Sequence, residues 1–161
     1  MHGHQGEDLR RCHEEANPLI TVLVVDDHAR VRDSLAELLS DTGDMLVVGQ
    51  CSDGDEVLEA DRRLHPDVVL MDVSMQRTDG LAATAGVVRE RPDARVVILT
   101  GSLSAALVRQ AAEAGAVGYH LKGDDPLDLI AAVRAVARGG TAWSDGALAL
   151  LPSPETLPNR S

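Results

Sequence analysis

The chain has 161 residues, which is enough for one domain with a buried core. Its formal net charge is −11, from 15 basic and 26 acidic residues, so direct binding to nucleic acid is disfavoured because that binding depends on neutralising phosphates. No apolar run reaches the roughly 18 residues of a membrane-spanning helix. The N-terminus lacks the apolar stretch of a secretory signal. A cytoplasmic protein with no membrane contact is therefore expected.

Cysteine and aromatic content narrow the class of protein further. Two cysteines, Cys12 and Cys51, do not indicate a disulfide framework or a zinc site. Aromatic residues make up 1% of the chain, so the core must be built from Val, Leu, Ile, Ala and Met. Small branched residues of this kind suit a buried parallel sheet that is covered by helices.

Three regions follow from the distribution of polar and apolar residues. Residues 1–18 are polar and show no sustained period, which predicts a flexible N-terminal arm. Its histidines can attract a metal ion, although a solvated leader is the simpler interpretation: His2, His4 and His13. Residues 19–140 are regular and are predicted to form one domain. Residues 141–161 are polar and rich in proline, which predicts a C-terminal tail or the start of an interdomain linker.

Five short apolar runs alternate with five helical patterns. The strands are predicted at 20–25, 45–49, 68–71, 96–99 and 117–121, and the helices near 31–39, from 52 to about 65, and at 81–91, 103–114 and 127–138. Short apolar strands that alternate with helices predict a mainly parallel sheet covered on both faces. No GxGxxG follows the first strand, so the α/β flavodoxin-like (βα)5 doubly wound fold, with strand order 2-1-3-4-5, is favoured over a dinucleotide-binding fold.

Polar residues stand where four of the predicted strands end. The first strand is followed by Asp26 and Asp27, the third by Asp72, the fourth ends at Thr100 and the fifth at Lys122, which is the only lysine in the chain. Ligands of open α/β sheets bind outside the carboxyl ends of the strands. The sequence therefore predicts that three carboxylates, a hydroxyl and an ammonium group share one edge of the sheet.

This combination of groups favours phosphoryl transfer. Crowded carboxylates require a cation, and hard oxygen donors suit Mg²⁺. An aspartate beside such an ion can attack a phosphoryl group, while Lys122 and Thr100 are of the types that stabilise the transferred oxygens. Each residue alone has a simpler interpretation: Asp26 and Asp27 as a helix cap, Thr100 as a strand-end residue and Lys122 as a surface charge. Their occurrence together at successive strand ends favours the functional interpretation.

The motifs at these strand ends, taken in order, resemble the receiver domain of bacterial response regulators in two-component signalling. They are Val24–His28, Leu70–Met75, Asp79-Gly80, Ile98–Gly101 and Gly118–Lys122. The histidine after the acid pair and the Gly-Tyr-x-Leu-Lys segment resemble the NarL-type branch in particular. The resemblance covers roughly residues 19–140, and as an ordered set the motifs are highly specific.

The resemblance implies a role for each acidic residue. Asp72 would accept a phosphoryl group from the phosphohistidine of a sensor histidine kinase. Mg²⁺ would be bound directly by Asp27 and Asp72, through water by Asp26, and by the backbone carbonyl of Ser74. The chain would be a phosphoryl-accepting switch, not an enzyme with an external substrate.

The resemblance also implies how the switch works. Lys122 would pair with the phosphate, Thr100 would turn to hydrogen-bond it, and Tyr119 would rotate inward into the space that Thr100 leaves; a plain packing role for Tyr119 is the alternative. The readout surface would comprise the fourth helix, the fifth strand and the fifth helix. Two positions depart from the family pattern, since Gln76 and Gly123 stand where many receivers have proline.

Several functions stay open on sequence grounds. NarL-type regulators usually continue into a DNA-binding output domain, so a transcription regulator is favoured over a stand-alone receiver that acts by protein contacts, and a homodimer on phosphorylation is compatible with either. A phosphatase of the haloacid-dehalogenase type also uses a nucleophilic aspartate and Mg²⁺, but that class has Asp-x-Asp on its first strand. A receiver that no longer accepts phosphate is disfavoured by the complete acid set.

Overall fold

The computed structural model describes residues 19–75 and 78–152. The strands are Ile20–Val25 (β1), Met45–Cys51 (β2), Val68–Met71 (β3), Val96–Thr100 (β4), Gly118–Leu121 (β5) and Ala142–Trp143 (β6). The helices are Ala29–Ser40 (α1), Val57–Leu64 (α2), Gly80–Glu90 (α3), Ala105–Ala114 (α4), Pro126–Ala137 (α5) and Asp145–Leu150 (α6), and a 3₁₀ turn at Gly54–Glu56 precedes α2. The predictions for the arm at 1–18, for Gln76 and for residues 153–161 lie outside the described residues.

The strands form one parallel sheet in the order β2-β1-β3-β4-β5-β6. The flavodoxin-like fold and the predicted order of the first five strands are confirmed. The sixth strand was not predicted and lies in the segment assigned to the tail or linker. It pairs Ala142 with Gly118 and Trp143 with Tyr119, and α6 follows it directly.

Alternation along the strands divides the core into two clusters, one on each face of the sheet. Leu23 and Val25 belong to one cluster, which also contains residues of α2, α3 and α4. Val22 and Val24 belong to the other, together with residues of α1 and α5. Helix α5 buries its apolar residues in the second cluster: Leu129, Ile130, Val133 and Val136.

Side-chain caps fix where several helices begin. The carboxylate of Asp79 accepts a hydrogen bond from the Ala82 N–H at 2.8 Å at the start of α3, and Ser104 accepts one from the Leu107 N–H at 3.1 Å at the start of α4. Helix α4 ends at Gly115, whose φ of 102° is in the left-handed region that favours glycine. These caps account for the starts of α3 and α4, which lie one and two residues from the predicted ones. The helix predicted from residue 52 begins instead as a 3₁₀ turn at Gly54 and becomes α-helical at Val57.

Across residues 19–75 and 78–152, no helix combines the length and the apolar character that a membrane crossing requires.

Candidate functional site

Parallel pairing brings the polar strand ends together. The hydrogen bonds of the sheet continue one residue past the strands, because the Asp72 N–H donates to the Val25 carbonyl at 2.9 Å and the Asp26 N–H donates to the Cys51 carbonyl at 3.0 Å. The Lys122 N–H donates to the Thr100 carbonyl at 2.8 Å. These bonds hold the backbone of the predicted site residues at one edge of the sheet.

Lys122 bridges two buried carboxylates in this pocket. Its Nζ lies 2.7 Å from Asp26 Oδ2 and 3.5 Å from Asp72 Oδ1. Asp26 is only 1% exposed and Asp72 only 3%. Burying carboxylates is costly unless charges or hydrogen bonds compensate, so the single ammonium group is the main compensation that the described residues supply to both.

The two buried carboxylates are held in different electrostatic conditions. Burial and the neighbouring charge of Asp26 raise the pKa of Asp72, and Lys122 opposes this only in part. Burial acts on Asp26 in the same direction, but hydrogen bonds from Lys122 and from the His28 N–H outweigh it and lower the Asp26 pKa. For Lys122, burial acts to lower the pKa, but the contacts with Asp26 and Asp72 outweigh it and the pKa is raised. Asp72 is therefore the less stabilised anion.

An acidic cluster surrounds these contacts. Asp26, Asp27, His28 and Asp72 each offer one ligand atom, and these atoms all lie within 4.8 Å of one another. The Oδ1 of Asp27 is shielded from solvent and accepts no hydrogen bond from the described residues. Hard carboxylate oxygens with unfilled lone pairs fit the ligand preferences of Mg²⁺, so Asp26, Asp27 and Asp72 are the residues that would hold the ion.

The loop after β3 contacts the side chain of Asp72. The N–H of Ser74 donates to Asp72 Oδ1 at 3.3 Å, which places the backbone of Ser74 beside the pocket. Further along this loop, Thr78 donates its N–H to the buried carboxylate of Asp53 at 2.8 Å. Asp53 thus ties the loop after β3 to the loop after β2.

Thr100 and Tyr119 contact the same residue. Thr100 is buried at the end of β4, and its Oγ1 accepts a hydrogen bond from the Ser102 N–H at 3.3 Å. Tyr119 is fully buried and its hydroxyl donates to the Ser102 carbonyl at 2.6 Å. Burial also raises the pKa of Tyr119, so its hydroxyl stays a hydrogen-bond donor at neutral pH. The two predicted switch residues are therefore connected through one peptide segment.

Sequence reasoning missed supporting contributions from two residues. The guanidinium of Arg32, one turn into α1, donates to the Asp26 carbonyl at 2.6 Å. Gly80 begins α3 so close to the phosphoacceptor candidate that a Cβ at this position would lie 1.9 Å from the Asp72 carbonyl oxygen. The Asp79-Gly80 motif was visible in the sequence, but the reason for the glycine was not. No sequence period signals the Arg32 contact.

Comparisons with known proteins agree with this geometry. The response regulator receiver domain family matches residues 22–134. The response regulator GacA of Pseudomonas viridiflava is 42% identical over 121 residues, which are 75% of this chain and 56% of the relative. This chain therefore spans about 56% of the length of that relative.

Solved structures give the same result. A LuxR-family response regulator from Aurantimonas sp. SI85-9A1 has a TM-score of 0.78 at 31% identity, over 81% of this chain and 94% of the other. The receiver domain of the putative response regulator NarL from Mycobacterium tuberculosis has a TM-score of 0.72 at 34% identity, over 76% of this chain and 99% of the other. The chain belongs to the response regulator receiver domain family, in its NarL/LuxR branch.

Proposed function

We propose that this receiver domain is switched by transfer of a phosphoryl group to Asp72. Receiver domains are generally signalling switches in two-component systems. The observation that carries the proposal is the placement of the Lys122 ammonium 3.5 Å from Asp72 Oδ1, inside a cluster of buried acids. An aspartate that only capped a helix would not need a cation and two further carboxylates around it.

The chemistry follows from the charges in the pocket. An oxygen of the Asp72 carboxylate attacks phosphorus, an O–P bond forms, and the P–N bond to the donor histidine breaks, so that the electron pair and a proton end on the imidazole. Asp72 needs its anionic form for this attack. Burial and Asp26 raise its pKa, so a neighbouring positive charge favours the reactive form.

Receiver domains generally use Mg²⁺ at this acidic pocket, and when bound the ion would neutralise part of the charge on the transferred oxygens. Asp26, Asp27, Asp72 and the Ser74 carbonyl are the proposed ligands. The Nζ of Lys122 lies 2.7 Å from Asp26 Oδ2 and 3.5 Å from Asp72 Oδ1. The ammonium group is therefore within reach of the oxygens of a phosphoryl group bound to Asp72. We assign Lys122 and Thr100 to the phosphoryl oxygens as ammonium and hydroxyl donors.

The switch would operate through Ser102. A phosphorylated aspartate carries about −1.5 to −2 charges and three acceptor oxygens. These stabilise a conformation in which a hydrogen-bond donor turns toward the phosphoryl group. When Thr100 turns, its Oγ1 no longer accepts the hydrogen bond from the Ser102 N–H. Ser102 is then less restrained, and its carbonyl is the acceptor of the hydrogen bond from the Tyr119 hydroxyl. Movement of this segment reaches α4, which begins at Ala105, and so alters the face formed by α4, β5 and α5.

Partners and location are part of the proposal. A sensor histidine kinase is the donor, and the cell compartment is the cytoplasm. Leu127 at the start of α5 is 69% exposed and Leu103 before α4 is 40% exposed, which supports protein contacts or a homodimer on phosphorylation through these helices. The strand between them, β5, is paired on both sides, with β4 and with β6. Relatives such as GacA are longer, which supports a DNA-binding output domain and transcription regulation as the readout; a stand-alone receiver is the alternative.

The test is labelling of the full chain by acetyl phosphate with and without Mg²⁺. We expect labelling that requires Mg²⁺ and is abolished by Asp72→Asn. The matched control is Asp33→Asn, an exposed aspartate of α1, which should label like the wild type. Equal labelling of the Asp72→Asn variant would remove Asp72 from its proposed role, whereas turnover of p-nitrophenyl phosphate at an ordinary enzymatic rate would favour a phosphatase instead.

A further inference from the structure

His28 stands at the entrance of the acidic pocket, directly after the acid pair. Its Nδ1 lies 2.8 Å from Asp27 Oδ1 and 3.2 Å from Asp26 Oδ1. The side chain is 68% exposed, so a ligand can approach it from solvent. The position is fixed by the backbone, because the His28 N–H donates to Asp26 Oδ1 at 2.9 Å and His28 is the N-cap residue of α1.

The close approach of His28 to Asp27 does not have the geometry of a hydrogen bond. Asp27 Oδ1 accepts no hydrogen bond from the described residues, although His28 Nδ1 is 2.8 Å away. Two ligand atoms that bind one ion at right angles, each at about 2.1 Å, are about 3 Å apart. The distances from Nδ1 to the two aspartate oxygens, 2.8 and 3.2 Å, lie on either side of that value.

The opposite side of the pocket is already occupied by Lys122. Its Nζ contacts Asp26 Oδ2 at 2.7 Å, so the Oδ1 of Asp26 is the oxygen that faces His28. His28, Asp26, Asp27 and Asp72 together offer ligand atoms that all lie within 4.8 Å of one another. The donor set of the pocket is therefore carboxylate oxygens plus one imidazole nitrogen.

We propose that His28 is a metal ligand and that it gives this pocket a preference for divalent transition metals over Mg²⁺. The inference rests on the proposed function, since it assumes the acidic pocket binds Mg²⁺. Carboxylate oxygens alone suit Mg²⁺, whereas an imidazole nitrogen suits Ni²⁺, Zn²⁺ and related ions, which also bind mixed nitrogen and oxygen sites more tightly. Mg²⁺ binding needs only the oxygen ligands of the pocket, so loss of the imidazole should separate the two classes of ion.

A simpler role for His28 is a hydrogen bond from Nδ1–H to Asp26 Oδ1 at 3.2 Å, with no part in metal binding. In that case, removal of the ring would leave the relative affinities of Ni²⁺ and Mg²⁺ unchanged. The two roles therefore differ in a quantity that can be measured without any phosphorylation assay.

The experiment is calorimetric titration of the full chain with Ni²⁺ and, separately, with Mg²⁺. The histidines of the N-terminal arm are first replaced by serine in every sample so that they cannot bind the metal: His2, His4 and His13. In this background His28→Ala should raise the Kd for Ni²⁺ at least about tenfold and the Kd for Mg²⁺ less than about threefold, judged by the usual effect of metal-site substitutions. His65→Asn, which removes an exposed histidine elsewhere, should change neither Kd.

Pulsed EPR of bound Mn²⁺ gives a second readout. We expect a coupling to a directly bound nitrogen that is lost in His28→Ala and kept in His65→Asn. An unchanged Ni²⁺ Kd with unchanged nitrogen coupling would overturn the assignment of His28, and so would an equal fall in affinity for both ions. The proposed function fails separately, if Asp27→Asn leaves Mg²⁺ affinity intact, because the acidic pocket itself would then not be the metal site.

Discussion

The hydroxyl of Tyr119 donates a hydrogen bond to the backbone carbonyl of Ser102 at 2.6 Å, from a side chain that is fully buried. The same segment donates the Ser102 N–H to Thr100 Oγ1 at 3.3 Å. A change in the conformation of Thr100 can therefore alter the hydrogen bond of Tyr119 through a single residue, Ser102. This relationship makes the two roles considered for Tyr119, packing and switching, compatible with each other.

Removal of the Tyr119 hydroxyl separates these roles. Tyr119→Phe keeps the ring in the core but leaves the Ser102 carbonyl without this donor, which should lower the free energy of unfolding by about 0.5–1.5 kcal/mol. Labelling of Asp72 should be retained, while the phosphorylation-dependent change in association or fluorescence should be reduced. Urea unfolding followed by Trp143, the only tryptophan, measures the first effect. A variant with full wild-type response to phosphorylation would leave Tyr119 a packing residue alone.

Gly80 is expected to be intolerant of any side chain. A Cβ would lie 1.9 Å from the Asp72 carbonyl oxygen, so either α3 or the backbone of Asp72 must move. We expect Gly80→Ala to destabilise the fold by about 1–3 kcal/mol, the usual cost of overpacking, and to impair labelling of Asp72.

Gly86 provides the matched control in the same helix. A Cβ there meets nothing within 4 Å, so Gly86→Ala should stabilise the protein by about 0.5–1 kcal/mol through helix propensity. Chemical denaturation of both variants gives the comparison. If Gly80→Ala were as stable as Gly86→Ala, the close packing of α3 against the site would be refuted.

An ion pair between Asp44 and Arg134 should make stability depend on pH in the acid range. Hydrogen bonds from Arg134 lower the pKa of Asp44 from 3.8 to about 2. A lowered folded-state pKa means that the stabilisation is complete above pH 3.8 and is lost as the pH falls toward 2. Both side chains are about 40% exposed, so solvent screening keeps the effect on stability small.

Asp44→Asn tests this ion pair. At pH 7 the variant should be slightly less stable than the wild type, and the difference should shrink as the pH falls from 3.8 toward 2. Arg134→Gln should behave in the same way, since it removes the other partner. A stability difference that stayed constant over this range would contradict the assignment.

His120 should add a second pH dependence nearer neutrality. His120 is 7% exposed, and neither of its ring nitrogens has hydrogen-bond geometry with a described atom. The backbone of Ala142 lies near the ring and acts to raise the pKa of His120. Burial lowers the pKa of His120 below 6.5, against the opposing effects of Ala142, Asp124 and Asp128. The unfolded chain therefore takes up a proton first, and stability falls as the pH drops below 6.5.

Replacement of His120 by an apolar residue removes this titration. We expect the unfolding free energy of the wild type to fall between pH 7 and pH 5, and the fall to be smaller in His120→Leu. Urea titrations at several pH values measure it. An identical pH dependence in the two proteins would show that His120 does not carry the effect.

Much of the fold and the grouping of site residues could be predicted, for a physical reason. The carboxyl ends of parallel strands lie at one edge of the sheet, so polar residues that follow successive strands are brought into one pocket. Asp72 and Lys122 illustrate this, since they follow β3 and β5 and are in contact. The sixth strand was missed because Ala142–Trp143 is too short to show any period. The inward position of Tyr119 and the contact of Arg32 depend on side-chain conformation, which a sequence pattern does not encode.

The role of Asp72 as phosphoryl acceptor is tested most directly by locating the phosphoryl group chemically. After phosphorylation with acetyl phosphate and Mg²⁺, reduction with borohydride converts an acyl phosphate on aspartate to homoserine, which mass spectrometry of the digested protein can place in the sequence. We expect homoserine at position 72 and at no other aspartate. Conversion at Asp26 or Asp27 with residue 72 unchanged would contradict it.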